Sequence, residues 1–506
     1  MPAEPAPSLP EPRRNALLRQ VDWRFLMRGS DAPRVAELTP GADSEALRLI
    51  STPAPPGEAD LAVAGYPTAD VLRSARQALA PGGELVCRWR LPRFGAPKRA
   101  RRRLEAAGFA GVRIYWAGPL PHRQPQFWLP VESRESVAHL LATRPGGSAV
   151  QTVLRRIWRL AARAGLLSPL YAVARAPGGS LPGSEAEPGA ETALSSGTPL
   201  LLLTGGHRSI NKVVGLAIEE GGERPALAVK FARVPEAEPG LEREATVLKR
   251  LGNEHPGLSG VPALRGQWRR SGRLAIAESA IEGDSMLALL SPQNFAEMAQ
   301  RVTALLIELA GRAGRGADPG RRARLVEVPL ADFERSFGPV LDSGVTAAAR
   351  RLLDGLGELP SACEHRDCSP WNVVLAAGGA PALLDWESAE PDGLPGLDLT
   401  YFLANCAFVL DHSIESGRTR ESYARLLDSA TEYGQIAAAA EGEYSAALGI
   451  DAEAMRRLRL LCWIVHSRSD YRHLELEVAG PPRPEALRGA IFVGLVEEEL
   501  RGAQSG

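Results

Sequence analysis

Cysteine is scarce in this chain of 506 residues. There are five, Cys87, Cys363, Cys368, Cys406 and Cys462, odd in number and widely scattered. Such a set makes no disulfide framework and favours a reducing, cytoplasmic setting. Long apolar runs are missing as well. The best, 399–410 (LTYFLANCAFVL), is twelve residues long between Asp398 and Asp411. It is too short to span a bilayer and reads as a buried helix, so a soluble protein without a transmembrane segment is expected. The first twenty residues carry prolines and charges where a signal peptide has its apolar stretch. Neither sign of charge prevails: Lys+Arg number 59 and Asp+Glu 60, for a net charge of −1, so no global field attracts nucleic acid.

What is present is ordinary globular composition, 44% hydrophobic and 24% charged, which excludes a mostly disordered chain. The length suits two or three domains. Glycine and proline are plentiful, at 51 and 41 residues, and predict generous loops and linkers. They concentrate with serine and glutamate in 176–198 (APGGSLPGSEAEPGAETALSSGT), which reads as a flexible linker between two folded halves.

In the first half, 60–65 (DLAVAG) suits a buried strand, and 69–79 has helical spacing at Val71, Leu72, Ala75 and Leu79. Pro81-Gly82-Gly83 turns the chain into 84–90 (ELVCRWR), which alternates like a strand. A basic helix over 98–107 stops at Gly108, and 112–116 is the next strand. This order resembles the C-terminal half of a class I S-adenosylmethionine-dependent methyltransferase. That family holds its cofactor on a glycine-rich turn after the first strand. Between 21–27 (VDWRFLM) and the 60–65 strand there is no G-x-G, so the resemblance implies a degenerate, partial Rossmann-like α/β domain over 1–175. An unrelated α/β module and an atypical cofactor site are the alternatives. Further on, 151–165 (QTVLRRIWRLAARAG) sets Val153, Ile157, Leu160 and Ala161 on one helix face, apart from Arg155, Arg156, Arg159 and Arg163. A helix packed on its own domain is the expected reading, and contact with an anionic membrane surface the weaker one.

Chemistry concentrates in 364–399. His365-Arg366-Asp367, followed by Asn372, has the H-R-D-x-x-x-x-N spacing of a kinase catalytic loop. Strand–turn–strand follows: 373–376 apolar, Gly378-Gly379 turning, 382–384 apolar, then Asp385. Such a hairpin brings Asp385 back beside Asn372, so that the two can share Mg²⁺ while Asp367 faces an incoming hydroxyl. A zinc reading of Cys363, His365 and Cys368 lacks a fourth ligand. Cys462 and His466 read as packing in a helix, and 312–324 (RAGRGADPGRRAR) as a solvated loop, with an anionic acceptor as its alternative partner.

The sequence SPWNVVL…ALLDWESAEPDGLPGLDL resembles the aminoglycoside phosphotransferase family, small-molecule kinases built on the protein-kinase-like fold. Arg366 stands where that family usually has glycine, and Asp385-Trp386-Glu387 lacks the glycine of D-F-G. The resemblance implies an α+β bilobal domain over 199–480, with a small lobe at 199–283 and a large lobe at 284–480, followed by a C-terminal helix and tail at 481–506. It also implies an upstream strand lysine and helix glutamate. Lys230 in 226–231 (ALAVKF) and Glu244 in 241–251 (LEREATVLKRL) fill those places, with Glu242 as runner-up. By the same resemblance, Gly205, Gly206 and Ser209 offer phosphate contacts, and the Glu278 carbonyl and Ala280 amide meet the adenine edge. His365 and Asp398 are structural. The implied function is ATP- and Mg²⁺-dependent phosphorylation of a small-molecule hydroxyl on a sugar, aminoglycoside or amino alcohol. A non-catalytic nucleotide-binding scaffold, and methyl transfer by the first half, are the alternatives.

Overall fold

The computed structural model describes residues 9–27, 32–39, 41, 43–89, 95–119, 124–142, 149–178, 198–205, 212–222, 224–270, 272–311, 319–478 and 481–505. Contacts divide the chain into two compact units, Met1–Ala245 with Pro262–Ala280, and Thr246–Val261 with Ile281–Gly506.

The first unit is built on one sheet of twelve strands: β1 (Arg34–Glu37), β2 (Thr52–Pro53), β3 (Ala59–Gly65), β4 (Leu79–Trp89), β5 (Ala110–Gly118), β6 (Phe127–Pro130), β7 (Leu170–Arg175), β8 (Leu200–Leu203), β9 (Lys212–Ala217), β10 (Leu227–Ala232), β11 (Leu264–Arg270) and β12 (Arg273–Ser279). Their order is β11-β12-β10-β9-β8-β6-β5-β7-β4-β3-β1-β2. The pairs β2–β1, β1–β3 and β3–β4 are parallel, with the Ala69–Ala78 helix crossing from β3 to β4. β7 comes late in the chain and inserts antiparallel between β4 and β5. From β5 to β11 every pairing is antiparallel.

Three features differ from the sequence expectation. The 21–27 stretch lies in a 3₁₀ helix, Arg19–Leu26, that buries Trp23 and Phe25, and the first strand is β1. Pro81-Gly82-Gly83 does not end an element but lies inside β4, where Gly82 at φ +79° absorbs the bend. The sheet also runs across the two sides of 176–198, because Phe127 and Trp128 of β6 pair with Leu203 and Leu202 of β8. Of that expected linker, 179–197 lies outside the described residues.

On one face of the sheet, Leu17, Leu18, Val21, Trp23 and Phe25 share a core with Val213, Val229, Phe231, Ala275 and Ala277 of β9, β10 and β12. Phe25 stacks on Phe231 at 5.0 Å. Beside them the fully buried Arg233 forks onto Asp22 through Nε and Nη2, each at 3.0 Å. Arg24 donates to the Arg233 carbonyl at 2.8 Å.

The second unit is mostly helical. A three-stranded sheet holds β13 (Asp284–Ser285), β15 (Val373–Leu375) and β16 (Pro381–Leu383), and a two-stranded one holds β14 (Ala362–Glu364) and β17 (Glu390–Gly393). The Leu397–Leu410 helix is buried along Leu397–Phe408, as its apolar run predicts. The Ala452–Val478 and Ile491–Ser505 helices are joined by Arg459, which pairs with Glu499 at 3.0 Å and with Glu441 at 2.9 Å. The last helix is thus part of this unit's core. His466 stacks on Tyr401 at 3.9 Å, and burial pushes its imidazole down to about 3, the behaviour of a packing residue. Among the described residues no helix is long and apolar enough to cross a membrane.

Candidate active site

The segment with the H-R-D-x-x-x-x-N spacing, 365–372, joins β14 to β15. Asp398, in the first turn of the Leu397–Leu410 helix, accepts the backbone amides of His365 at 2.6 Å and Arg366 at 2.7 Å. Each carboxylate oxygen fixes one peptide, so the loop enters its turn from a rigid start. Burial, reinforced by the nearby charge of Glu364, raises the Asp398 carboxyl to about 7 against the pull of those two amides. Arg366 then adopts φ +64°, a left-handed conformation that suits the glycine it replaces. Its guanidinium Nε holds Glu364, which also accepts from the Leu394 amide. Burial raises the Glu364 carboxyl, and Arg366 opposes that rise. Nothing in the sequence singled out Glu364. Its one signal is an acidic residue at the end of a buried strand.

The His365 imidazole uses both nitrogens on backbone. Nδ1 accepts the Asp367 amide at 3.3 Å, so Nε2 carries the proton and donates to the Leu384 carbonyl at 2.9 Å. The ring stands edge-on to the buried Trp386 at 4.8 Å. In this tautomer it is a strut between the loop and the residue before Asp385, with no nitrogen left to act as a base.

Asp367 and Asn372 meet directly. The Asn372 amide nitrogen donates to Asp367 Oδ2 at 2.8 Å and to the Asp367 carbonyl at 2.9 Å. The carboxylate is thereby oriented, and the amide oxygen is the end that Asp367 does not use. Downstream, β15 and β16 pair with Val373 opposite Leu383, and Leu384 donates to the Asn372 carbonyl at 2.9 Å. The hairpin thus folds where the sequence has it. This register sets Asp385 one residue past the partner of Asn372, in a left-handed conformation at φ +74°. A non-glycine residue held there marks a position that the surrounding structure over-determines.

Lys230, Glu244 and Glu278 form a second cluster, within the first unit. Lys230 lies on β10 between β9 and β12, only 5% exposed. Its ammonium contacts Glu244 Oε1 at 2.5 Å and Glu278 Oε1 at 2.9 Å, both carboxylates being buried. Glu242 is exposed. Glu278 enters this cluster through its side chain, a contact the sequence reading, which assigned only its carbonyl, did not foresee. Lys230 pairs with Ile276 across the ladder, which sets Glu278, two residues on, on the same face. The Ala280 amide, expected at an adenine edge, donates to the Ala226 carbonyl at 3.1 Å. Gly205 is exposed after β8, and its amide donates to the Gln126 carbonyl at 2.9 Å. Gly206 and Ser209 lie outside the described residues.

Residues 211–440 match the model of the APH phosphotransferase enzyme family, so this stretch is a phosphotransferase-family domain and the chain carries a kinase-type enzyme. No curated protein matches the chain. Similar solved structures include a thermostable mutant of the aminoglycoside phosphotransferase APH(4)-Ia, at 15% identity, covering 61% of this chain and 95% of that one with a TM-score of 0.39. A choline/ethanolamine kinase family protein from Mesorhizobium loti is 15% identical, covering 65% and 96%, with a TM-score of 0.37. The aminoglycoside phosphotransferase APH(3'')-Id from Streptomyces rimosus, in complex with ADP and streptomycin, is 15% identical, covering 50% and 90%, with a TM-score of 0.35.

Proposed function

We propose that the chain transfers the γ-phosphoryl group of ATP to a hydroxyl of a small molecule, such as a sugar, an aminoglycoside or an amino alcohol. The observation that carries this reading is the grip of Asn372 on Asp367, on a loop whose first two peptides are fixed by Asp398. In the proposal Asp367 orients the acceptor hydroxyl and takes its proton as the new P–O bond forms and the γ-phosphorus–oxygen bond to the departing ADP breaks. Orientation dominates the gain, because a loose phosphoryl-transfer transition state asks for positioning and charge neutralisation. Asn372 and Asp385 would hold Mg²⁺. The fit rests on donor chemistry: an amide oxygen turned from Asp367 and a carboxylate are hard ligands. The bound Mg²⁺–nucleotide supplies the activated phosphoryl group and the charge that neutralises it. Lys230, steadied by Glu244, provides the ammonium for nucleotide phosphates. His365 and Asp398 position the loop and touch no reactant.

Glu278 favours a second reading. A further carboxylate on Lys230 competes with phosphate for the ammonium, which suits a scaffold that binds nucleotide weakly or without turnover. Phosphate release from ATP and Mg²⁺ across a panel of sugars, aminoglycosides and amino alcohols tests both. Acceptor-dependent release supports the transferase. Nucleotide binding without release across the panel supports the scaffold.

For 1–175 the proposal is a methyltransferase-like sheet lacking its cofactor site. The Thr39 hydroxyl accepts the Gly65 amide between the ends of β1 and β3, and Ser44 donates to Glu37, so polar groups at the strand ends are used internally. A cytoplasmic setting belongs to the same proposal, consistent with five cysteines buried as free thiols.

A further inference from the structure

The Ala149–Ala164 helix exposes three of the four residues that its sequence pattern groups on one apolar side, all but Ala161. Val153, Ile157 and Leu160 are 54%, 53% and 64% exposed, with Leu154 at 40% beside them. Trp158, Ala161 and Ala162 face inward against the core of the sheet, and Trp158 stands edge-on to Trp116 at 5.7 Å. Arg155 and Arg159 are turned to the same domain, their guanidiniums donating to the carbonyls of Ala142 and Leu141. Arg156 and Arg163 are exposed, and at 3.6 residues per turn both border one edge of the apolar stripe. The end of the helix is tied to a second source of positive charge. Gly95 donates to the Ala164 carbonyl at 3.4 Å at the start of the Ala96–Ala106 helix, which exposes Lys98, Arg99, Arg102 and Arg103.

An apolar stripe bordered by cations matches the interface of an anionic bilayer. There, aliphatic side chains enter the acyl boundary while guanidiniums stay among headgroup phosphates. A second copy packed antiparallel along the stripe fits poorly, because that two-fold contact brings the Arg156 and Arg163 edges of both copies to the same side. We propose that the Ala149–Ala164 helix docks the protein on anionic phospholipid surfaces. This is independent of the phosphotransferase reading.

Flotation of the full-length protein with vesicles tests it. The protein is expected to float with phosphatidylcholine vesicles that contain phosphatidylglycerol and to stay behind with phosphatidylcholine alone. I157E/L160E abolishes flotation, and R156Q/R163Q weakens partitioning roughly 30-fold, the effect of two cations at a charged surface. These side chains are exposed, so both variants keep the wild-type melting temperature. Failure to float, equal flotation with both vesicles, or flotation unchanged in I157E/L160E overturns the proposal. So does a wild-type dimer in sedimentation that I157E/L160E turns into a monomer, since the stripe then belongs to a second copy.

Discussion

Arg366 occupies a left-handed backbone position that glycine would fill without strain, and its guanidinium is the countercharge of the buried Glu364. The two effects oppose each other. R366G relieves about 1 kcal/mol of backbone strain but leaves a buried carboxylate without its partner, which costs about 3 kcal/mol or more. Net destabilisation is expected for R366G, and E364Q/R366G should recover most of it. Urea denaturation of the two single variants and the double gives the coupling, and simple additivity would contradict it. Asp398 yields a pH dependence. Its folded-state value, about 7, lies above the ordinary 3.8. The folded protein therefore holds this proton more tightly than the unfolded chain, and the stabilisation it gives is complete below pH 4 and lost as pH rises through 7. D398N lacks that loss, so its stability relative to wild type should climb between pH 4 and 7 in thermal melts. Its turnover should drop at least tenfold, because an amide nitrogen cannot accept a loop peptide. A constant stability difference across that range would refute the assignment. That Asp367, Asn372 and Asp385 lie together on one loop and one hairpin was legible, because their spacing is local. The side-chain pairing of Glu278 with Lys230 and the role of Glu364 were not, because their partners are set by a cross-strand register and by a contact thirty residues away.

The β15–β16 hairpin, the Lys230 strand and the buried Leu397–Leu410 helix follow directly from apolar runs, glycine turns and alternation. The insertion of β7 and the β6–β8 pairing do not, since strand partners far apart in the chain leave no periodicity. The 19–26 segment was hard to read for a different reason. Asp22 and Arg24 look like solvent-facing punctuation between Val21, Trp23 and Phe25, yet both charges are buried, Asp22 on Arg233. Removing one partner of such a pair strands the other. D22A is expected to destabilise the protein by about 3–5 kcal/mol in chemical denaturation, and D22A/R233M to recover much of that. A D22A loss under about 1 kcal/mol would mean that Arg233 finds another partner.

For the whole molecule, the strand that carries Lys230 shares its core with residues near the N-terminus and its sheet with β6 and β5. A fragment of residues 199–480 leaves Val213, Val229, Phe231 and Ala277 without the Leu17–Phe25 side of that core, and should show no cooperative melt. A cooperative transition with native-like heat capacity would show that the phosphotransferase domain stands alone. The role of Asp367 is decided by comparing D367A with wild type in one pair of assays: calorimetric titration with ATP and Mg²⁺, and acceptor-dependent phosphate release. D367A should bind ATP within about threefold of wild type while its turnover falls by roughly 10²–10⁴-fold. Equal turnover in the two proteins would rule out Asp367 as the group that orients the acceptor hydroxyl.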